Sequence, residues 1–153
     1  MGSAQLDRVV SQDMIQLLSH MLADNYVLYV KTQNFHWNIV DSRFYSLHVL
    51  FEEQYKDLAE AADELAERIR MIQGKAPATM AEFLKLASLK EPEQSLDGDQ
   101  MITELMRDNQ EIAGKLRACI AKAGEMGDDG TVDLLTARLR KHEKAAWMLQ
   151  SHL

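Results

Sequence analysis

Apolar residues recur at every seventh position between residues 44 and 72, and this repeat constrains the fold more than any other feature of the sequence. Its members are Phe44, Phe51, Leu58, Leu65 and Ile72. Seven residues make close to two turns of an α-helix, so these side chains form one apolar stripe. The spacing predicts a long amphipathic helix that starts near residue 44, ends near residue 73 and is stopped by Gly74.

Another helical pattern precedes the repeat. Its apolar residues follow one another at spacings of three and four, and it begins at Ser11, a favourable N-cap residue. The pattern continues to about Asn38, and residues 39–43 then turn the chain into the next helix. Residues 1–10 are expected to form a flexible N-terminal tail.

Two helical patterns close the chain. The first begins near Asp97 and stops at Gly124, and the second is capped by Thr131 and reaches about Leu149. Only a short turn at residues 127–130 separates them. They are therefore expected to form a helix pair, as the first two helices do.

The connection between the second and third helices is about twenty residues long, which is unusual for a compact domain. It contains Pro77 and Pro92, and a Thr79-Met80-Ala81-Glu82 capping box that predicts a short helix through Leu86. Two helix pairs joined by such a crossover describe a single all-α domain over residues 1–153, a ferritin-like four-helix bundle. The alternative is an up-down-up-down bundle with a floppy middle loop.

Composition excludes several classes of protein. The 153 residues include 17 basic and 24 acidic side chains, a net charge of −7 that disfavours binding to nucleic acid and favours cations as partners. No run is long and apolar enough to span a bilayer or act as a signal peptide, so we expect a soluble cytoplasmic protein. The single cysteine, Cys119, excludes an internal disulfide, and its apolar neighbours predict a place in the core.

Histidines and carboxylates recur at spacings suited to metal binding. His36 lies at the end of the first helix, and His48, Glu52, Asp63 and Glu67 lie on the second. At 100° per residue the last four fall within about 100° of one another, beside the apolar stripe. These five residues are the candidate metal ligands.

Distance along the helix divides the candidates into two groups. Glu52 and Asp63 are separated by about 16 Å, whereas metal–ligand bonds are about 2 Å long. His48 with Glu52 and Asp63 with Glu67 would thus be two separate half-sites. Residue numbers 48 and 67 have the same sum as 52 and 63, so two antiparallel copies of this helix would place each half-site of one copy opposite the other half-site of its partner. The twofold axis would pass between Asp57 and Leu58, and the dimer would have two equivalent sites.

A solvated helix face is the alternative interpretation. Glu52 and Lys56 are four residues apart and can form an ion pair, and His36 on its own suits a hydrogen-bonded histidine at a helix end. The chain has no Glu-x-x-His pair, which an iron centre inside one bundle uses on two helices. An iron centre of that kind is therefore not expected.

The segments around these candidates resemble a known family. They are Asn34-Phe35-His36-Trp37-Asn38, Phe44, Leu47-His48, Phe51-Glu52 and Asp63-Glu64-Leu65-Ala66-Glu67-Arg68-Ile69. The short crossover helix and the segments Lys141-His142-Glu143-Lys144 and Trp147-Met148-Leu149 extend the match over nearly the whole chain. The sequence thus resembles the Dps-type miniferritins, the starvation-induced DNA-protection proteins.

The resemblance implies a hollow homododecamer with ferroxidase sites at its twofold interfaces and an iron core inside. His36, His48 and Glu52 would come from one subunit, and Asp63 and Glu67 from its partner. The resemblance also implies that Fe(II) is oxidised, preferably by hydrogen peroxide, and stored as Fe(III), which protects the cell from oxidative damage. Zinc and manganese are the alternative metals for a site of histidines and carboxylates.

Two further roles are implied by the same resemblance. Asp128, Asp129 and Asp133 resemble the family's threefold iron-entry pore, although Asp128 also suits a turn and Asp133 the positive end of a helix. Trp37 lies next to a candidate ligand, and the resemblance implies that it traps stray radicals there. The alternative is that Trp37 is an aromatic residue of the core or of a subunit interface.

DNA binding is expected to be weak or absent. Family members that bind DNA usually do so through a lysine-rich tail, whereas residues 1–12 contain Arg8 as their only basic side chain, offset by Asp7. The competing functions are therefore an iron-storing ferroxidase, a DNA-compacting protein and a helical scaffold without metal chemistry. Net charge disfavours the second, and the paired half-sites disfavour the third.

Overall fold

Five helices make up the part of the chain that the structure describes. This computed structural model covers the backbone of residues 3–153 and the side chains of residues 11–153. The helices are α1 (Ser3–Asn38), α2 (Phe44–Met71), α3 (Met80–Leu86), α4 (Gly98–Glu125) and α5 (Asp129–Gln150). Residues 3–153 include no strand, and the all-α prediction is confirmed.

Polar contacts show that α1 and α4 run in opposite directions. The Lys31 ammonium, near the end of α1, lies 3.1 Å from Glu104 and 2.8 Å from Asp108, near the start of α4. Asp24, two turns earlier in α1, accepts a 3.0 Å bond from Lys115, further along α4. Later residues of α1 therefore contact earlier residues of α4, as in two antiparallel helices.

Contacts of α2 give the remaining directions. Asn25 of α1 donates to the backbone oxygen of Leu58 on α2, and His36 meets His48, so the first two helices are antiparallel. Arg68, near the end of α2, bonds Asp128 at the start of α5. The order is thus up, down, down, up, and the crossover must return the chain to the far end of the bundle. This topology confirms the ferritin-like bundle and excludes the up-down-up-down alternative.

The apolar stripe of α2 faces the core, with one exception at its start. Phe51, Leu58 and Leu65 are buried, as the seven-residue repeat predicts, whereas Phe44 is 45% exposed.

Cys119 is buried among apolar side chains, which confirms its predicted place in the core. No helix of the described residues is long and apolar enough to cross a membrane.

Two predicted helix starts are wrong. Helix α1 begins at Ser3 rather than at Ser11, so the helix starts about two turns before the predicted cap. Helix α5 is capped by Asp128, whose carboxylate accepts from the Thr131 backbone, and Thr131 is itself buried inside the first turn. Of the predicted tail, residues 1 and 2 lie outside the described residues, and residues 3–10 have a helical backbone.

The boundaries of the crossover agree with the sequence. Thr79 caps α3 by accepting a 3.1 Å bond from the Glu82 backbone, and Asp97 forms a capping box with Gln100 at the start of α4. Gly74 follows α2 as predicted, but the left-handed residue at that end is Gln73, with φ of 75°. Gly74 serves close packing instead, because a Cβ there would lie 2.8 Å from the Ile15 side chain.

Candidate metal centre

Two histidine rings are stacked where α1 and α2 meet. His36 lies in the last turn of α1 and His48 in the second turn of α2, and residues 39–43 bring the two helices side by side. The ring centroids are 3.8 Å apart with 12° between the planes. The Phe44 ring also stacks on His48, with 4.8 Å between the ring centroids. His48 therefore packs against two rings, those of His36 and Phe44.

Each histidine is bonded to the backbone of the other. His36 Nδ1 lies 2.6 Å from the His48 backbone oxygen, and His48 Nδ1 lies 2.8 Å from the His36 backbone oxygen. A carbonyl oxygen only accepts, so both Nδ1 atoms must carry the proton and donate it. In the neutral rings, Nε2 is then the atom with a free lone pair on each histidine. Metal-binding histidines are oriented by this kind of second hydrogen bond.

Glu52 lies one turn after His48, next to the histidine pair. In the single chain its carboxylate forms a 3.1 Å ion pair with Lys56, the pair expected for a solvated helix face. The hydrogen bond from Lys56 lowers the pKa of Glu52, and the charges of Lys56 and the nearby His36 and His48 lower it further. The Glu52 carboxylate is therefore ionised, and it lies near both imidazole rings.

Asp63 and Glu67 are exposed and lie far from the histidine pair. They share α2 with His48 and Glu52, and this helix is unbroken from Phe44 to Met71. The separation of about 16 Å between Glu52 and Asp63 therefore stands. Among the described residues of one chain, no three side chains of His, Cys, Asp or Glu converge to hold a metal ion. The candidate ligands of one chain are thus divided into two separate groups.

The turn that brings the histidines together is fixed by Arg43. Its guanidinium bonds Asp41 twice at 2.8 Å, Asp99 of α4 at 2.8 Å and the backbone oxygen of His152. The Arg43 hydrogen bonds hold the pKa of Asp41 well below its usual range. This network joins the turn between α1 and α2 to the start of α4 and to His152. It thereby holds the two ends of the turn, and with them the histidine pair, in place.

The three residues of the predicted entry pore have different surroundings. Asp128 is bonded by Arg68 at 2.6 Å and caps α5, whereas Asp129 and Asp133 are exposed. Burial raises the pKa of Asp128, but hydrogen bonds from Thr131 and Arg68 outweigh it and leave the pKa lowered. Asp128 therefore has a structural role in the single chain, as the N-cap of α5 and the partner of Arg68. Trp37 is 66% exposed.

One aromatic neighbour of the site was missed in the sequence. The Tyr55 ring lies 5.3 Å from the His36 ring, measured between centroids. Tyr55 follows His48 by seven residues, so the same repeat that defines the apolar stripe places it on the histidine face. A search for aromatic residues at that spacing would have found it.

Comparisons with known proteins agree with this architecture. A family model described as a ferritin-like domain matches residues 15–153. General stress protein 20U of Bacillus subtilis is 38% identical over 144 residues, covering 94% of this chain and 99% of that protein. DNA protection during starvation protein 2 of Bacillus anthracis is 36% identical with the same coverage.

Solved structures give the same result. Dps from Staphylococcus aureus has a TM-score of 0.90 and 37% identity, covering 93% of this chain and 95% of that one. A Dps protein from Vibrio cholerae, described as a member of a broad superfamily of ferritin-like diiron-carboxylate proteins, has a TM-score of 0.90 and 36% identity, covering 94% and 90%. The chain therefore belongs to the ferritin-like family and, within it, to the Dps-type miniferritins.

Proposed function

We propose that this protein is a cytoplasmic ferroxidase that oxidises Fe(II), preferably with hydrogen peroxide, and stores the Fe(III) inside a closed dodecamer. The observation that carries the proposal is the reciprocal bonding of His36 and His48, which directs both proton-bearing Nδ1 atoms inward. The Nε2 lone pair of each ring is then free to bind a metal, and the ionised Glu52 carboxylate lies one turn after His48 on α2. A histidine whose second ring nitrogen donates to a backbone carbonyl in this way is typical of metal ligands.

The partner subunit is proposed to complete each site. Asp63 of the partner subunit and Glu67 of the partner subunit would face His48 and Glu52 across a twofold axis. This pairing follows from the register of α2, and it explains why the two half-sites of one chain are too far apart to meet. Glu52 would exchange its Lys56 ion pair for iron when the site is filled.

The mixed ligand set suits the proposed reaction. Imidazole nitrogen binds Fe(II) well, and carboxylate oxygen favours the harder Fe(III) that is formed. Two Fe(II) ions give two electrons to one peroxide, which takes up two protons and leaves as two water molecules. The protein's contribution is to hold both ions against one oxidant, because a paired transfer avoids release of hydroxyl radical.

The related proteins support the same chemistry. The Vibrio cholerae structure is described with the diiron-carboxylate proteins, and relatives carry the names general stress protein and DNA protection during starvation protein. We extend these associations to this chain as protection against oxidative damage. Asp129 and Asp133, both exposed at the start of α5, remain the best candidates for the iron-entry pore.

Iron loading tests the proposal directly. Purified protein is supplied with Fe(II) and hydrogen peroxide, separated by size exclusion and assayed for iron that elutes with the assembly. Wild type should retain many iron ions per subunit, while His48→Ala and Asp63→Ala should retain few. Glu64→Ala is the matched control, because it removes the exposed carboxylate next to Asp63 without touching a proposed ligand.

Two results would overturn the proposal. If intact wild-type protein retains no iron, then the histidine pair is structural or serves another metal. If Asp63→Ala and Glu64→Ala load iron equally well, then the second half of the site has been assigned to the wrong carboxylates.

A further inference from the structure

A line of aromatic rings leads away from the histidine pair through the helix bundle. Tyr55 lies 5.3 Å from His36, Tyr29 lies 5.9 Å from Tyr55, and Tyr26 lies 5.6 Å from Tyr29, all between ring centroids. Tyr26 in turn stacks on Phe83 of α3 at 4.3 Å. We propose that Tyr55, Tyr29 and Tyr26 form a relay that supplies an electron to the iron site when only one Fe(II) is bound. This inference rests on the proposed ferroxidase function.

The line of aromatic rings joins three helices in a fixed order. Tyr55 extends from α2 toward His36, Tyr29 and Tyr26 lie one turn apart on α1, and Phe83 closes the line on α3. All three tyrosines are half-buried, and their rings are in contact at tilted or edge-on angles typical of packed aromatics. Each step is therefore a short transfer between neighbouring rings.

Tyrosine is suited to this role because its phenol can lose an electron and a proton together. Phenylalanine has no such group, so the transfer ends at Tyr26 and does not pass to Phe83. The Tyr29 hydroxyl lies 3.5 Å from the Gln33 side-chain amide, which donates to it and leaves its own proton free to depart. Half-burial keeps water near enough to accept the proton.

The relay would solve a problem of stoichiometry. Peroxide needs two electrons and two protons to become two water molecules, but one Fe(II) supplies a single electron. With the relay, Fe(II) gives one electron and Tyr55 gives the other together with its proton, while the second proton comes from solvent. The products are Fe(III), two water molecules and a neutral tyrosyl radical, which Tyr29 and then Tyr26 can refill in sequence by transfer of one electron and one proton.

The geometry favours this line of rings over Trp37 within one subunit. The Trp37 side chain is 66% exposed, and it forms no ring pair with another aromatic among the side chains of residues 11–153. Tyr55, in contrast, faces the ring of the proposed ligand His36 directly. Oxidising equivalents would thus enter the bundle rather than remain at the Trp37 surface.

Freeze-quench electron paramagnetic resonance tests the relay on the assembled protein. Less than one Fe(II) per site is added, then hydrogen peroxide, and the radical is recorded in protein that contains ring-deuterated tyrosine. Wild type should show a tyrosyl signal that deuteration narrows. Tyr55→Phe, which keeps the ring but lacks the hydroxyl, should lose most of that signal and give several-fold more hydroxyl-radical adduct with a spin trap.

Tyr45→Phe is the matched control, because Tyr45 is 80% exposed and lies outside the line of rings. It should behave as wild type in both measurements. Iron oxidation is followed by absorbance in the same samples: if wild type does not oxidise iron, the proposed function itself fails. If iron is oxidised but the radical is on tryptophan, or Tyr55→Phe retains the tyrosyl signal and the low adduct level, the relay is wrong.

Discussion

The Arg138 guanidinium lies 3.3 Å from Nε2 of His142, inside the bundle, and this contact fixes the protonation state of the histidine. Arginine only donates, so Nε2 must accept, and Nδ1 donates to the Asn109 side chain at 2.9 Å. Arg138 is held in turn by both oxygens of Asp57, at 3.1 and 2.9 Å. The neutral ring is thereby fully hydrogen-bonded, whereas a charged ring would face a buried cation.

The free energy of unfolding should decrease as the pH is lowered from 6.5 to 5, a range in which most carboxylates stay ionised. Burial, reinforced by Arg138, lowers the pKa of His142 from 6.5 to about 3. The unfolded chain then binds more protons than the folded one below pH 6.5, so the free energy of unfolding should decrease between pH 6.5 and 5 by up to about 1.4 kcal/mol per pH unit. Denaturant unfolding at several pH values measures this slope.

The variant His142→Asn provides the comparison. It should be less stable than wild type at pH 7, because it loses packing and the bond from Arg138, but its unfolding free energy should change less between pH 6.5 and 5. Parallel pH profiles for the two proteins would show that His142 does not titrate on unfolding in the way described.

Two glycines should respond to alanine in opposite ways. A Cβ at Gly74 would lie 2.8 and 2.9 Å from atoms of Ile15 and 2.9 Å from Ile69, so Gly74→Ala should lower the unfolding free energy by about 1–3 kcal/mol. A Cβ at Gly114, inside α4, meets no atom of the described chain within 4 Å, so Gly114→Ala should raise it by about 0.5–1 kcal/mol. Thermal or denaturant unfolding of both variants checks the difference in sign.

The acidic residues at the start of α5 should separate into a structural and an uptake role. Asp128→Ala removes the helix cap and the Arg68 ion pair and should cost about 1–3 kcal/mol of unfolding free energy. Asp129→Asn with Asp133→Asn alters exposed side chains and should leave stability nearly unchanged while slowing iron uptake several-fold.

Stopped-flow absorbance at low Fe(II) and urea unfolding of the same preparations distinguish the two roles. An unchanged uptake rate in the Asp129→Asn/Asp133→Asn protein would remove these residues from the entry path. An Asp128→Ala protein as stable as wild type would show that the Arg68 contact contributes nothing measurable.

DNA should not be retained at physiological salt, despite the names of the relatives. Each chain carries 24 acidic against 17 basic side chains, so a shell of copies repels phosphate. A mobility-shift assay with duplex DNA should show free DNA at all protein concentrations tested. A discrete retarded band that weakens steeply with added salt would contradict this expectation and bring the DNA-compacting function forward.

Periodicity was sufficient to predict most of the fold. The seven-residue repeat gave the extent of α2 to within two residues, and the capping residues Thr79 and Asp97 gave the starts of α3 and α4. Ser11 and Thr131 were less informative, because a residue with a capping side chain can equally well lie inside a helix. Side-chain identity at a helix start therefore predicts a cap only where the preceding residues cannot be helical.

Pairing across the bundle could not be predicted from spacing. Lys31 and Arg138 are buried charged residues whose partners, Asp108 and Asp57, lie 77 and 81 positions away in the sequence. The reciprocal bonds of His36 and His48 depend on the width of a turn that contains Arg43 and its distant partners. Such contacts are set by the packing of whole helices and carry no local sequence pattern.

If each iron site is shared between two subunits, then a mixed assembly of two variants that each lack a different half of the site should regain activity. His48→Ala and Asp63→Ala are produced separately and also together, with two affinity tags so that only mixed assemblies are purified. Each variant alone lacks one half of every site, and peroxide-driven Fe(II) oxidation should be nearly absent. In a mixed dimer one of the two sites combines an intact His48 half with an intact Asp63 half.

Random mixing should therefore restore about one quarter of the wild-type sites and a similar share of the Fe(II) oxidation rate. That recovery is the result that a site built from His36, His48 and Glu52 of one subunit and Asp63 and Glu67 of the other predicts. Mixed assemblies of normal size that are as inactive as the separate variants would contradict it, because a site contained within one chain cannot be repaired by a neighbour.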